Sequence, residues 1–86
     1  MEYYERLKAQ RIDKEISQAE IAAILDTTQQ QIYKYEKGLQ EMTVSRLKKL
    51  CEVYGVSADY ILGLPEGLEW PRPTPKKGFK ISSNNQ

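Results

Sequence analysis

Three consecutive glutamines, Gln29, Gln30 and Gln31, are followed by Tyr33, Lys34 and Lys37. A glutamine amide carries a donor and an acceptor together. That pair matches the N6 and N7 edge of adenine in the major groove of DNA. The lysines can reach bases or phosphates, and the tyrosine can pack on a thymine methyl or bond a phosphate. Upstream, Gln18 follows Ser17 at the start of a helical pattern. There the free backbone N–H groups and the positive end of the helix dipole attract a phosphate. Each residue alone is also an ordinary solvated helix residue, so the weight rests on the set and its placement.

Other chemistries are closed off by composition. The 86 residues include no histidine and one cysteine, Cys51. A Ser-His-Asp triad or a Cys-His pair cannot be assembled. Structural zinc is nearly excluded, and a disulfide within the chain is impossible. No Gly-rich phosphate loop or clustered acid pair is present, and the 12 carboxylates read as solvated surface. No enzyme, cofactor or metal site is expected. The longest strictly apolar run is Ile21 to Leu25, far short of a bilayer span. The first residues, Met1-Glu2-Tyr3-Tyr4-Glu5-Arg6, do not read as a signal peptide. A cytoplasmic protein with no membrane partner is expected, and the lone cysteine suits a reducing compartment.

The elements that must position these residues are helices. Residues 1–64 contain no proline and no strand-like alternation. Tyr3, Leu7 and Arg11 share a face, with Tyr4 and Ile12 beside it, which predicts a helix over about residues 2–13. Ser17 with Glu20 makes a capping box, and Ile16 with Ile21 a hydrophobic staple, opening a second helix that ends near Leu25. Thr28 with Gln31 reads as another box, opening a third helix from Gln29 to about Lys37 that Gly38 closes. Thr43 caps a fourth helix, stapled by Met42 and Leu47. Its inner stripe is Val44, Leu47, Leu50, Cys51 and Tyr54, and Gly55 ends it. Ser57 caps a short fifth helix, stapled by Val56 and Ile61, with Tyr60, Ile61 and Leu62 as its apolar residues and Gly63 at its end. These signals agree on an all-α fold. The expected core is Leu7, Ile16, Ile21, Ala22, Ile24, Leu25, Ile32, Tyr35, Leu39, Leu47, Leu50, Val53, Val56 and Ile61.

The second and third helices form a helix-turn-helix, with Ala22 where a small residue is needed at the helix contact. From Ser17-Gln18-Ala19-Glu20-Ile21-Ala22 through Tyr33-Lys34-Tyr35-Glu36-Lys37-Gly38, then Leu47-Lys48-Lys49-Leu50-Cys51 and Gly55-Val56-Ser57-Ala58-Asp59-Tyr60-Ile61-Leu62-Gly63, the chain resembles the Cro/CI-type (XRE) helix-turn-helix family of phage and bacterial repressors. The likeness covers residues 4–63, and Thr27-Thr28-Gln29-Gln30 is similar to the recognition-helix start of lambdoid phage repressors. The resemblance implies a five-helix, lambda-repressor-like DNA-binding domain. It implies a transcriptional repressor that binds a palindromic double-stranded DNA operator as a homodimer. Gln18 would clamp a phosphate. Thr28, Gln29, Gln30 and Lys34 would face bases or the adjacent backbone, with Tyr33 and Lys37 on the same face. Arg11 and Glu36 would form a structural ion pair holding the recognition helix. The fifth helix and its flank match the part that often forms the dimer contact.

The chain departs from the family pattern in places. Asp26 stands where the turn commonly has glycine, and aspartate tolerates the left-handed conformation required there. Gln40-Glu41-Met42 replaces residues that are often basic or proline, and Glu41 would repel a phosphate. Residues 1–64 hold nine Lys/Arg against ten Asp/Glu, so DNA binding needs a local basic face. All four prolines lie from Pro65 onward, so residues 65–86 read as an extended or disordered tail. Within it, Trp70 and Phe79 are either a docking element for a surface or partner, or two exposed aromatics. The alternative function is an antitoxin-like protein that holds a protein partner through this tail.

Overall fold

A computed structural model describes residues 1–65. Five helices follow in order: α1 (Tyr3–Asp13), α2 (Gln18–Ile24), α3 (Gln29–Glu36), α4 (Val44–Tyr54) and α5 (Ala58–Leu62). Ser17, Thr28, Thr43 and Ser57 have extended backbone at the N-caps of α2 to α5. Their hydroxyl oxygens accept the N–H groups of Glu20, Gln31, Arg46 and Tyr60 at 3.0, 3.1, 3.2 and 3.1 Å. Each such cap contributes about 1 kcal/mol. Glu20 closes the box at α2 by accepting the Ser17 N–H at 2.7 Å.

The expected second box does not close at α3. Thr28 makes its half of the exchange, but the Gln31 side chain is half-buried, and among the described residues its Nε2 has no hydrogen-bond partner. A reciprocal glutamate contact occurs instead at α1, where Glu5 accepts the Glu2 N–H at 2.7 Å.

All five helices are followed by a residue in the left-handed region: Glu15 (φ 59°), Asp26 (56°), Gly38 (74°), Gly55 (70°) and Gly63 (70°). After α1, α2 and α3 the same paired bonds recur. Ile16, Thr27 and Leu39 N–H groups reach back to the carbonyls of Arg11, Ala22 and Lys34 at 3.1, 2.9 and 2.9 Å. This is the Schellman closure. Asp26 adopts the left-handed turn its sequence position requires. Glu15 does the same without any signal in its residue type.

The buried core is Leu7, Ile21, Ala22, Leu25, Ile32, Tyr35, Leu50, Cys51, Tyr54 and Ile61. Ile16, Leu47, Val53 and Val56 pack against it while half-buried. Two expected core residues are not in it. Ile24 is 44% exposed, because the inward arc of α2 is taken by Ile21, Ala22 and Leu25. Leu39 is 69% exposed, lying past the end of α3 in the connection to α4. Val44, at the first position of α4, points outward at 81% exposure rather than joining the inner stripe. On α5, Ile61 alone is buried, while Tyr60 and Leu62 are exposed. α1 is the hub, touching α3, α4 and α5, while α2 packs on α3.

Candidate nucleic-acid interface

The outward face of α3 carries Gln29, Gln30, Tyr33, Lys34 and Lys37, all exposed, with Thr28 exposed at the cap. Ile32 and Tyr35, on the opposite side, are 2% and 3% exposed. A period of 3.6 residues separates the two sets, because residues 29, 30, 33, 34 and 37 form one stripe and 32 and 35 another. Gln31 belongs to neither and turns toward the protein, so two of the three glutamines face solvent. The Lys37 Nζ lies 5.7 Å from the Tyr33 ring centroid, a cation–π distance that gathers the C-terminal half of the stripe.

α2 sets the angle of α3. Ala22 is 4% exposed at the helix contact, and its missing side-chain bulk lets the two axes approach. Ile21, Leu25, Ile32 and Tyr35 fill the space between them in the same cluster.

The last turn of α3 is fixed by side chains from other elements. Arg11 of α1 donates from Nε to Glu36 Oε2 at 2.6 Å and from Nη2 to Glu36 Oε1 at 3.0 Å. Its Nη1 also donates to the Ile16 carbonyl at 2.9 Å, tying the α1–α2 loop into the same node. The Arg11 and Glu36 side chains are 12% and 8% exposed. Hydrogen bonding to Glu36 is the main cause holding the Arg11 pKa above its ordinary value. Gln18 joins the node, its Nε2 donating to Glu36 Oε1 at 2.9 Å. One of its two amide protons is therefore held by the carboxylate. Beneath the pair lies Tyr54, 2% exposed, whose hydroxyl pKa is pushed well up by burial first and then by Glu36.

Two further anchors on α3 escaped sequence reasoning. Arg46 of α4 donates from Nη1 to the Tyr35 hydroxyl at 2.7 Å, with its guanidinium 6.0 Å from the ring centroid. The only sequence signal was that a buried tyrosine hydroxyl needs a partner. The other is Tyr4, which lies against Gly38. A Cβ built on Gly38 would fall 2.7 Å from the Tyr4 hydroxyl oxygen and 2.8 Å from its Cε1. Of the other basic residues on α4, Lys49 is exposed and Lys48 lines a groove beside α5.

Among the described residues no group of acidic, cysteine or histidine side chains could hold a metal ion. Cys51 is buried, and burial chiefly pushes its thiol pKa up, away from a reactive thiolate.

The family model Helix-turn-helix matches residues 7–61. The chain belongs to the Cro/CI-type helix-turn-helix family. That family is one of DNA-binding transcriptional regulators and not an enzyme class. An uncharacterised HTH-type transcriptional regulator of Rickettsia prowazekii (strain Madrid E) is 34% identical over 65 residues, covering 76% of this chain and 48% of that protein. An SPbeta prophage-derived uncharacterised HTH-type regulator, YonR of Bacillus subtilis (strain 168), is 43% identical over 58 residues, covering 67% and 54%. The chain thus spans about half the length of these curated relatives. Among solved structures, the P22 c2 repressor in complex with synthetic operator 9T is similar with a TM-score of 0.66 and 26% identity, covering 72% of this chain and 94% of that one. The matched span contains α2 and α3, and α3 carries the glutamine face. No helix among the described residues is long and apolar enough to cross a membrane. The reading of a protein partner held by Trp70 and Phe79 falls on residues outside those described.

Proposed function

We propose that this chain binds double-stranded DNA with sequence preference, inserting α3 into the major groove, and regulates transcription as a repressor by occupying an operator. The observation that carries the reading is the outward stripe of Thr28, Gln29, Gln30, Tyr33, Lys34 and Lys37 on a helix whose opposite face and last turn are fixed. The first turn of a recognition helix reaches deepest, so Gln29 and Gln30 read base edges, with adenine their natural partner. Lys34, Lys37 and Tyr33 follow toward the backbone. Gln18 gives its second amide proton to a phosphate, while Glu36 sets the direction of the amide. The likeness to a repressor solved on its operator supports this docking. A palindromic site bound by a homodimer, in the cytoplasm of a prokaryote, completes the proposal. Glu41, exposed beside α4, lowers backbone affinity at that edge.

Selection from random double-stranded DNA at a stated salt concentration tests it. The expected result is an enriched palindrome with half-sites about one helical turn apart, roughly 10 bp. Replacing Gln29 and Gln30 together with alanine should weaken the selected site by about 1–3 kcal/mol per lost bidentate contact and relax sequence preference, leaving stability unchanged. Unaltered affinity and preference in that variant would remove the proposed readout.

A further inference from the structure

Glu5, Lys8, Ala9 and Ile12 recur at helical spacing and share one face of α1. With Tyr4, and with Glu36 and Lys37 at the end of α3, they line an open groove of about 470 Å³. Of these residues only Lys37 belongs to the outward stripe of α3. The groove is open to water, since Ile12 is 56% exposed and Ala9 and Lys37 are exposed too. Lys8 is half-buried there, the arrangement in which a lysine stem packs while its ammonium group meets water.

The charges in the lining are not equally available. Glu36 is neutralised by Arg11 and also accepts from Gln18. Glu5 accepts the Glu2 N–H at the cap of α1. Among the described residues neither Lys8 nor Lys37 makes an ion pair. With Glu36 set against Arg11, two ammonium groups face one carboxylate, and Tyr4 adds a hydroxyl donor. The chemistry left to offer is that of an anion site. An ammonium on a flexible stem binds phosphate as a point charge, without the fixed geometry of a guanidinium.

We infer that Lys8 and Lys37 together hold a phosphate of the DNA backbone in this groove, with Ala9 and Ile12 against the adjoining sugar. The inference rests on the DNA binding proposed above. Continuity selects the occupant: Lys37 lies both on the stripe of α3 and in the groove, so a strand passing that end of α3 meets Lys8 next. Contacts to phosphate fix position and carry no base information. Lys8 therefore sets affinity and salt dependence, and Gln29 and Gln30 set preference.

The test is the affinity of the full chain for its selected site and for a random duplex across a range of salt concentrations. Circular dichroism verifies that each variant is folded. Lys8→Gln keeps the stem and removes the charge. It should weaken both duplexes by the same factor and make the slope of log K against log salt shallower by about one. Lys8→Arg should keep the wild-type slope. Lys48→Gln removes the same charge from α4, outside this groove, and should leave the slope unchanged. Ala9→Glu, at an exposed position in the groove, should weaken both duplexes, and it carries the test if Lys8→Gln does not fold. An unchanged slope in folded Lys8→Gln overturns the inference, as does an equal change in Lys48→Gln. If the wild-type chain binds no duplex, the DNA reading fails and this one with it. If binding depends on Gln29 and Gln30 while Lys8→Gln behaves as wild type, this one fails alone.

Discussion

At its last turn α3 is gripped by Arg11, Gln18 and Arg46, from three other helices, and closed by Gly38 against Tyr4. At its first turn the only side-chain hydrogen bond to its backbone among the described residues is the Thr28 cap, and Gln29 and Gln30 are exposed. One end carries the stability, and under the proposed function the other carries the contact chemistry. A helix held this way keeps its direction while Gln29 and Gln30 stay exposed at its first turn. Substitutions at the two ends should therefore separate: the last turn costs folding, the first turn costs binding.

The largest effect is expected from Glu36→Ala. The carboxylate accepts from Arg11 twice and from Gln18 once, and its removal leaves a mostly buried guanidinium without its counter-ion. Breaking a buried pair from one side costs about 3–5 kcal/mol. For a domain of this size thermal unfolding should fall by roughly 12 °C or more. Arg11→Met with Glu36→Leu should recover most of the loss, because no charge is then stranded. If Glu36→Ala alone unfolds within a degree or two of wild type, the gripped end is not where stability lies.

Gly38→Ala comes next. The residue has φ 74°, where a Cβ costs about 1–2 kcal/mol, and the added methyl meets the Tyr4 ring. Overpacking adds about 1–3 kcal/mol. Pairing it with Tyr4→Ala should remove the clash and leave the backbone cost, measurable as a double-mutant cycle in urea. Additive losses would mean that Tyr4 does not press on the α3 closure.

Tyr54 tests the floor of the same end. Its folded pKa lies above the unfolded value of about 10. The folded state therefore keeps the proton longer, and the contribution is fully present below pH 10 and lost as pH rises above it. In that window one retained proton costs about 1.4 kcal/mol per pH unit. Tyr54→Phe should match wild type near pH 7 and show a shallower decline above pH 10, read from urea midpoints at each pH. A parallel decline in both proteins would place the alkaline loss elsewhere.

Much of this is legible in the sequence, where the signals are local. The hydroxyls of Ser17, Thr28, Thr43 and Ser57 mark four helix starts, and Gly38, Gly55 and Gly63 mark three ends, because caps act within three or four residues. The outward stripe of α3 follows from helical period alone. Contacts between distant residues carry no such signal. Arg11 and Glu36, 25 residues apart, were joined only by family resemblance. Arg46 on Tyr35 and Tyr4 on Gly38 depend on how α1 and α4 lie against α3, which no spacing encodes. Ile24 and Leu39 lie outside the core for the same reason: hydrophobic type says that a residue can be buried, and packing decides whether it is. Gln31 sits among outward-facing glutamines in sequence but turns inward at its angular position on the helix.

The smallest expected effect concerns the platform behind the gripped end. The turns before and after α2 both pass through the left-handed region without glycine, at Glu15 and Asp26. The two residues are not equivalent there. An aspartate can bond locally and visits this region routinely, whereas a glutamate meets the full steric cost of its Cβ, about 1–2 kcal/mol. Glycine would relieve that cost but would lose more backbone entropy on folding, about 0.5–1 kcal/mol. The balance predicts that Glu15→Gly stabilises by about 0.5–1 kcal/mol and that Asp26→Gly is nearly neutral. The Glu15 side chain is exposed, so no packing is lost in the exchange. Thermal midpoints of the two variants decide it. Equal gains would mean that the strain belongs to the turn geometry that brackets α2. A gain at Glu15 alone would mean that residue type sets it, and that Asp26 is already close to the best residue for its turn.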